Sequence, residues 1–372
     1  MNFVLFCHSL VSDWNHGNAH FLRGIVRELQ RRGHPVRVWE PLDGWSRANL
    51  VQEQGNAAVE RFRRQFPDLH LQVYRSDSLD LDAALDGAEV VLVHEWNEPD
   101  LIARLGRRRA AAGRFLLLFH DTHHRSITAP AAVGGALLNG YDGVLAFGDA
   151  VREVYLRRGW ADRVWTWHEA ADTSVFRPLP SAEREGDLVW IGNWGDGERS
   201  RALQEFLLEP VRVLGLQTTI HGVRYPDEAL AAVARAGARS AGWVANYEVP
   251  AVFARHGVTV HVPREAYRTV LAGIPTIRVF EALACGIPLV CAPWEDCEGL
   301  FCPGVDYLMA QDGPTMTRAL RAVLNDAGLA QALRSNGLDI IERRHSCRHR
   351  VDELLAICRQ LDARPAQDRE VA

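Results

Sequence analysis

One stretch constrains the fold of this 372-residue chain more than any other. Val258-Thr-Val-His-Val262 has the β-branched composition of a buried strand. A loop follows, and then Thr276 stands where it can cap a helix running to about Cys285. Gly286 stops that helix, and Ile287-Pro-Leu-Val-Cys291 begins the next strand. A strand, helix and strand in this order put the helix N-terminus at the carboxyl edge of a parallel sheet. Such an edge binds phosphate through free N–H groups and the helix dipole. Glu281 lies about one turn inside the helix. A carboxylate there accepts two hydrogen bonds at once, which suits the vicinal hydroxyls of a ribose. Phosphate beside ribose means a nucleotide.

The rest of the chain continues the alternation. Short apolar runs occur at 2–7, 35–39, 70–74, 89–94, 114–119, 142–147 and 163–167, separated by Arg- and Ala-rich stretches with helical spacing such as 18–32 and 101–112. This predicts an α/β fold with parallel sheets covered by helices on both faces. Many of these runs end in polar residues: Cys7-His8-Ser9, Trp39-Glu40, His94-Glu95-Trp96-Asn97, His120-Asp121, Gly148-Asp149 and His168-Glu169. In open α/β sheets ligands bind beyond the carboxyl ends of the strands, so this floor of His, Asp and Glu reads as an active-site rim; the plainer alternative is that polar loops simply begin there. Asp172-Thr-Ser-Val-Phe-Arg-Pro-Leu-Pro180 is extended and proline-bearing, and a second run of strands follows at 187–191, 216–221, 258–262 and 287–292. Two domains result: residues 1–171 and 187–345, joined by a linker at 172–186. A final helix spans 346–362, and a polar tail at 363–372 is expected to be disordered.

Composition narrows the class. At 47% hydrophobic and 24% charged residues the chain is that of a soluble globular protein, and its length suits two cores. A net charge of −5 argues against broad nucleic-acid binding. No apolar run reaches the length of a membrane helix, and the chain enters a strand at once without a signal peptide, so a cytoplasmic location is expected. The seven cysteines read as reduced and mostly buried, and the spacing of Cys291, Cys297 and Cys302 fits no common zinc pattern. The runs Arg31-Arg32 and Arg107-Arg108-Arg109 are solvated helix faces that leave room for weak peripheral membrane contact.

Several residues carry chemistry by position. Gly192-Asn193-Trp194-Gly195-Asp196-Gly197 leaves a strand and leads to Arg199; glycines admit backbone close to a phosphate and arginine neutralises it. The alternative is a plain turn followed by a solvated arginine. Arg278, one turn before Glu281, either pairs with that carboxylate or reaches the diphosphate. Arg264, after the strand carrying His261, also comes into reach of phosphate. Tyr225, just past another strand end, stacks on a base or serves as half-buried packing. His120-Asp121-Thr122-His123-His124-Arg125 is the densest polar cluster: a histidine beside a carboxylate suits a general base, with a zinc site and structural hydrogen bonding as rivals.

The Gly273–Val290 segment resembles the donor-binding segment of GT-B glycosyltransferases, in particular the spore-maturation CgeB-like branch with its Arg-x-Phe-Glu-Ala-Leu-Ala-Cys-Gly run. The linker, with its Asp-x-x-x-Phe-x-Pro pattern, is similar to theirs too. The resemblance implies two Rossmann-like domains whose parallel sheets face across a cleft, a last helix crossing back to the first domain, and closure about the linker that excludes water. It implies transfer of a sugar from a nucleotide-sugar co-substrate to an unidentified acceptor, with no cofactor and no metal. Glu281 then holds the ribose. The helix N-terminus at Thr276 and Ile277, with Gly192, Asn193, Arg199, Arg278 and Arg264, takes the diphosphate. In retaining relatives a first glutamate, with seven residues between it and the second, touches the sugar; its position here is Gly273, which leaves the stereochemical outcome open. By the same resemblance Asn15–His20 is the loop brought over donor sugar and acceptor, with Gly17 permitting close approach and Asn18 either capping the helix or bonding a ligand. His16, His120 and Asp121 are the expected catalytic residues at the acceptor rim, with His123 beside them. Two other readings stay open: a nucleotide-sugar-binding protein without turnover, and a nucleotide-sugar epimerase or hydrolase. A metal-dependent hydrolase built on His120–His124 is a further, remoter one.

Overall fold

The computed structural model describes residues 1–130, 133–180, 183–195, 197 and 199–362. The expected disordered tail, Ser181 and Ala182 of the linker and Asp196 of the glycine-rich loop lie outside the described residues. The chain divides into two compact units, Met1–Glu169 with the chain from Cys347 onward, and Ala170–Ser346.

The first unit holds β1 (Phe3–Phe6), α1 (Ala19–Arg31), β2 (Val36–Pro41), α2 (Trp45–Gln54), α3 (Asn56–Gln65), β3 (Leu71–Tyr74), α4 (Leu81–Leu85), β4 (Val90–His94), α5 (Pro99–Ala112), β5 (Leu116–Asp121), α6 (Arg125–Thr128), β6 (Gly143–Ala146), α7 (Asp149–Arg157) and β7 (Val164–Thr166). The second holds β8 (Gly186–Ile191), α8 (Ser200–Leu203), α9 (Glu209–Leu214), β9 (Thr218–His221), α10 (Asp227–Arg235), β10 (Arg239–Gly242), α11 (Val249–Ala254), β11 (His256–His261), α12 (Glu265–Thr269), α13 (Ile277–Cys285), β12 (Leu289–Cys291), β13 (Leu308–Met309), α14 (Gly313–Asn325) and α15 (Ala327–Arg344). The last helix, α16 (Cys347–Asp362), belongs to the first unit, where it packs on α1. Arg32 fixes that packing with an ion pair to Asp352 at 2.5 Å and a bond to the Arg348 carbonyl.

Both sheets are parallel and share one plan. Their orders are β3-β2-β1-β4-β5-β6-β7 and β10-β9-β8-β11-β12-β13. The central strands β1, β4 and β5 are buried along their whole length, because helices cover both faces. In each sheet the direction of crossover reverses once, between β1 and β4 and between β8 and β11. The fold rule puts ligand sites at these two points.

All seven strands expected in the first half form, as do the four expected in the second. β10 and β13 are additions. Arg239-Ser-Ala-Gly242 is mostly exposed at the sheet edge, and Leu308-Met309 is two residues long, so neither carries the apolar signature of a buried strand. The segment after residue 171 is not simply extended. Asp172 closes a turn by accepting from the Ser174 amide at 3.1 Å and its hydroxyl at 2.5 Å, and Phe176 is buried.

Candidate active site

The second unit places Glu281 as its sequence position requires. α13 starts after Thr276 and ends at Gly286, which adopts the left-handed conformation at φ 66°. The carboxylate lies on the inner face with no solvent exposure. Its Oε1 accepts from Asn246 Nδ2 at 3.2 Å and its Oε2 from the Arg278 guanidinium. Of the two roles expected for Arg278, the structure therefore shows the pair with Glu281. A buried carboxylate without such hydrogen-bond partners would be costly. The expected side-chain cap by Thr276 does not form. Its hydroxyl instead pairs with His261 Nε2 at 3.1 Å, which ties the end of β11 to the start of α13 and leaves the first amides of the helix without a side-chain cap. Ile277 is buried behind that N-terminus.

Arg199 spans the switch point. Its guanidinium donates to the Val262 carbonyl at 3.2 Å, just past β11, and to the Asn193 carbonyl, just past β8, and it lies over the Trp190 ring at 5.4 Å. It is half-buried and built into the loop floor, so the reading of a solvated arginine on a helix face is corrected. Asn193 turns the same loop by accepting from the Val223 amide at 2.8 Å. Gly192 must be small, since a Cβ there would sit 2.8 Å from the Trp190 ring. Tyr225 donates its hydroxyl to the Gly192 carbonyl at 2.9 Å and leans on Trp194. With Trp194, Ser200, Arg224 and Glu228 it lines a cavity of about 540 Å³, and Arg224 there holds a positive φ of 59°. Arg264 precedes α12 in extended conformation, half-buried. Burial pushes His261 down to about 3, with Arg199 and Arg278 adding to the effect, so its ring is neutral.

The first unit has a different floor. His8 follows β1, His16 lies in the loop before α1, His94 ends β4 and His120 lies in β5. Their rings form a chain, with centroids 5.6, 5.8 and 5.4 Å apart in that order. The chain crosses the β1/β4 switch point. All four are buried. Burial pushes His8 down to about 4 and His120 to about 3 and holds His16 and His94 well below the usual imidazole value, so all four are neutral near pH 7. The Nε2 atoms of His16 and His120 have no hydrogen-bond partner. Such orphaned buried atoms are uncommon in folded proteins.

Two expectations for this unit are corrected. His120 and Asp121 are not a dyad. Neighbours in a strand point to opposite faces, and Asp121 instead accepts from Tyr155 Oη at 2.7 Å and the His123 amide at 3.0 Å. Burial raises Asp121 to about 6. Nor does the Asn18 side chain cap α1: its amide donates to Glu169 Oε1 at 2.5 Å. Gly17 is half-buried in the preceding turn, and Asn15 holds a positive φ of 50°. His123 packs its ring edge-on to Trp96, 5.1 Å away. The His120–Arg125 cluster is completed by Glu95, one of the polar strand ends of the expected rim, whose partners in this cluster no local pattern gives. Its fully buried carboxylate accepts from Arg125 at 3.2 Å and from Thr122 at 3.5 Å, and burial beside Asp121 raises its pKa. Among the described residues no group of three or more His, Cys, Asp or Glu side chains converges as a metal ion requires.

All seven cysteines are free; Cys297 and Cys302 are exposed rather than buried. No described helix is long and apolar enough to cross a membrane.

Residues 199–356 match the family model described as Glycosyl transferase-like. No curated protein matches the sequence. Solved structures match nearly end to end. A glycosyltransferase from Rickettsia africae is 10% identical, covers 98% of this chain and 99% of its own, and gives a TM-score of 0.67. Anabaena HepE, solved with UDP and glucose, is 15% identical over 97% of this chain and 100% of its own, with a TM-score of 0.67. An alpha-glucosyltransferase solved with UDP and a 13-mer DNA is 12% identical over 96% and 99%, with a TM-score of 0.70. The fold is thus that of GT-B glycosyltransferases, and the glycosyl transferase-like segment covers most of the second unit and the start of α16.

Proposed function

We propose that the chain transfers a sugar from a nucleoside diphosphate to an acceptor hydroxyl. The observation that carries this reading is Glu281, a fully buried carboxylate held by Asn246 and Arg278 on α13, beside a switch point floored by Arg199. The Glycosyl transferase-like match over residues 199–356 supports it. Glu281 takes the ribose hydroxyls. The amides at Thr276 and Ile277 take the diphosphate, with Arg199, Arg278 and Arg264 around them and Gly192 and Asn193 shaping the approach. Tyr225 and Trp194 offer flat faces in the neighbouring cavity.

In the reaction the bond from the anomeric carbon to the diphosphate oxygen breaks, and both electrons leave with the diphosphate. The acceptor oxygen bonds to the anomeric carbon and gives up its proton. Charge building on the leaving group is what the cations and the helix N-terminus stabilise, and such preorganised charge is the largest catalytic term in a dry site. This arrangement works without a divalent ion, and turnover surviving a chelator checks that. His16 is the group we assign to the acceptor proton. Burial keeps it neutral and its Nε2 open, at the cost of lowered basicity. His120 presents a second open Nε2, with Asp121 and His123 buttressing the wall behind it.

The Arg278-x-Phe-Glu-Ala-Leu-Ala-Cys-Gly286 run favours the CgeB-like branch of these enzymes. The acceptor class stays wide. A net charge of −5 weighs against long nucleic acids, and the neighbour solved with DNA shares the fold at 12% identity. Seven free cysteines suit a reducing compartment such as the cytoplasm.

A thermal-shift screen of wild type and Glu281→Ala against UDP, GDP, ADP, CMP and dTDP tests the reading. A ligand that binds the folded state raises the melting temperature. One nucleotide stabilising wild type and not the variant is expected. Equal stabilisation of both sinks the role of Glu281, and no shift with any nucleotide sinks the donor site.

A further inference from the structure

We infer that the acceptor is a neutral pyranoside, a sugar ring with free hydroxyls and no charge, seated on Trp45 and Trp96 of the first unit; the inference rests on the transfer reaction just proposed. Trp14, Trp45 and Trp96 lie in the segments that follow β1, β2 and β4. Those three strands are adjacent in the sheet, in the order β2-β1-β4. Parallel strands send their following segments out of the same carboxyl edge, so the fold gathers three indoles that stand far apart in sequence. The rings meet edge to face in a row. Trp14 and Trp45 have centroids 6.2 Å apart at 72°, and Trp45 and Trp96 have centroids 6.1 Å apart at 69°.

Trp45 and Trp96 are half-exposed, and each is backed on one side. The His8 ring stacks on Trp45 at 4.6 Å and 26°. The Arg125 guanidinium lies over Trp96 at 4.4 Å. What each indole leaves to solvent is therefore its other face or an edge. The support is tied down. Ser46, fully buried beside Trp45, donates its hydroxyl to the Trp14 carbonyl at 2.7 Å and its amide to His8 Nε2 at 3.3 Å. The Trp96 amide donates to His94 Nδ1 at 3.4 Å. A flat surface already held in place suits a ligand with one apolar face, because little freedom is lost on binding.

The buried charges around this surface are matched in pairs. Glu40 at the end of β2 holds Arg47 at 2.7 Å, Asp13 beside Trp14 holds Arg23 at 3.0 Å, and Glu95 beside Trp96 holds Arg125 at 3.2 Å. Asp43 and Glu98, exposed and two residues from Trp45 and Trp96, add negative charge that repels a phosphate or carboxylate ligand. Two neutral polar atoms stand beside the indoles, Trp14 Nε1 as a donor and His16 Nε2. Both side chains are more than nine-tenths buried, and neither atom has a hydrogen-bond partner among the described residues. A pyranose matches this combination. The C–H groups of one ring face carry slight positive charge and sit on the negative face of an indole, while the hydroxyls around the rim give and take hydrogen bonds. A flat phenol uses the indoles but brings one hydroxyl for two polar atoms. An acyclic polyol brings the hydroxyls and no apolar face. The sugar hydroxyl bonded to His16 Nε2 is then the one glycosylated, its proton passing to that nitrogen.

Saturation-transfer NMR titrations test this. The probes are the methyl α- and β-pyranosides of glucose, galactose, mannose, rhamnose and N-acetylglucosamine, and the controls are glucitol, 4-methylumbelliferone and methyl glucuronide. Wild type is expected to bind at least one methyl pyranoside more tightly than any control. Trp45→Ala and Trp96→Ala are each expected to weaken that pyranoside about tenfold, the size of one lost stacking contact, and to leave nucleotide affinity within about twofold. No binding of any pyranoside, a control that outbinds every pyranoside, or full pyranoside affinity in either tryptophan variant overturns the seat and leaves the donor site standing. Failure of wild type to bind any nucleotide overturns the donor site, and a pyranoside that still binds is then a ligand and not an acceptor. If an alanine variant does not fold, phenylalanine and leucine replace it at the same position. Phenylalanine keeps a π face and is expected to bind within about threefold of wild type, whereas leucine keeps only bulk and loses about tenfold. Equal affinity of these two variants is equally fatal.

Discussion

The two units solve one folding problem with the same strand order and then use its product differently. Each sheet reverses its crossover direction once and so opens a crevice at its carboxyl edge. In the first unit that crevice is floored by four neutral imidazoles, His8, His16, His94 and His120. In the second it is floored by Arg199, bonded to the carbonyls after both switch strands, beside the start of α13. Neutral rings can accept a proton or a hydroxyl bond without attracting an anion. A guanidinium and a helix N-terminus attract an anion and cannot accept a proton. The difference teaches that topology sets where a crevice lies, and that on the proposed function the residues ending a few strands set which half of the transfer it would serve.

The largest test sets the two floors against each other. Glu281→Ala removes the acceptor from Arg278 and Asn246. Stranding a mostly buried charge costs about 3 kcal/mol of stability, and nucleotide affinity is expected to fall at least a hundredfold. His16→Ala should do the reverse, leaving nucleotide affinity within twofold and lowering kcat by two orders of magnitude or more. Calorimetric titration and initial rates on the same two proteins check this. Variants that lose binding and rate in parallel would dissolve the distinction between the two floors.

Next in size is the response to acid. An imidazole whose folded value lies below 6.5 lets the unfolded chain take the proton first, so its contribution is complete above about 6.5 and is lost as pH falls toward the folded value, about 4 for His8 and about 3 for His120. Asp121, raised to about 6, acts oppositely: its contribution is present at low pH and is lost as pH rises through 6. Glu95 acts in the same sense as Asp121. Four histidines against two carboxylates leave a net loss of stability as pH falls below about 6.5. Arg23 near His16 and Arg125 near His94 deepen it. The second unit has His261, His221 and His256 shifted the same way, but among its described residues no ring chain links them as it links the four in the first unit. Amide exchange at pH 7 and pH 5, corrected for intrinsic rates, should show β1, β4 and β5 losing more protection than β8, β11 and β12. Equal losses would mean that the ring chain adds nothing.

Much of this was legible in the sequence because it is local. The β-branched run at 258–262, the apolar helix 277–285 with its single carboxylate, and Gly286 as its stop depend on neighbours a few residues away, and each appears where the pattern put it. What could not be read depends on partners far along the chain. Asn246 reaches Glu281 across 35 residues and Glu95 reaches Arg125 across 30. Glu298 meets Gly273 only because two loops fold against each other. Caps failed for a related reason. Thr276 and Asn18 are good capping types at capping positions, yet each was taken by a distant partner, His261 and Glu169. Edge strands β10 and β13 are short or exposed and leave no periodic trace.

A third test sharpens the second unit's floor. Arg199→Lys keeps the charge and loses the planar fork that reaches the Val262 and Asn193 carbonyls together. A loss of about tenfold in diphosphate affinity is expected, with the first unit's acid response unchanged. Full affinity in the lysine variant would make the residue a point charge and nothing more.

The smallest effect comes from Asn18, and it separates two roles that the same position allows. Were Asn18 a helix cap, Asn18→Asp would be neutral or stabilising, because aspartate caps as well and its charge suits a helix N-terminus. The structure has the Asn18 amide donating to the buried Glu169 carboxylate at 2.5 Å. Asn18→Asp replaces that donor with a second carboxylate and should cost about 2 kcal/mol, whereas Asn18→Ala merely deletes the bond and should cost about 1 kcal/mol. Urea denaturation of both variants gives the order. Aspartate worse than alanine means that the loop before α1 is held by Glu169. Aspartate better than alanine would return Asn18 to the cap, and the loop carrying His16 would then owe its position to the helix instead.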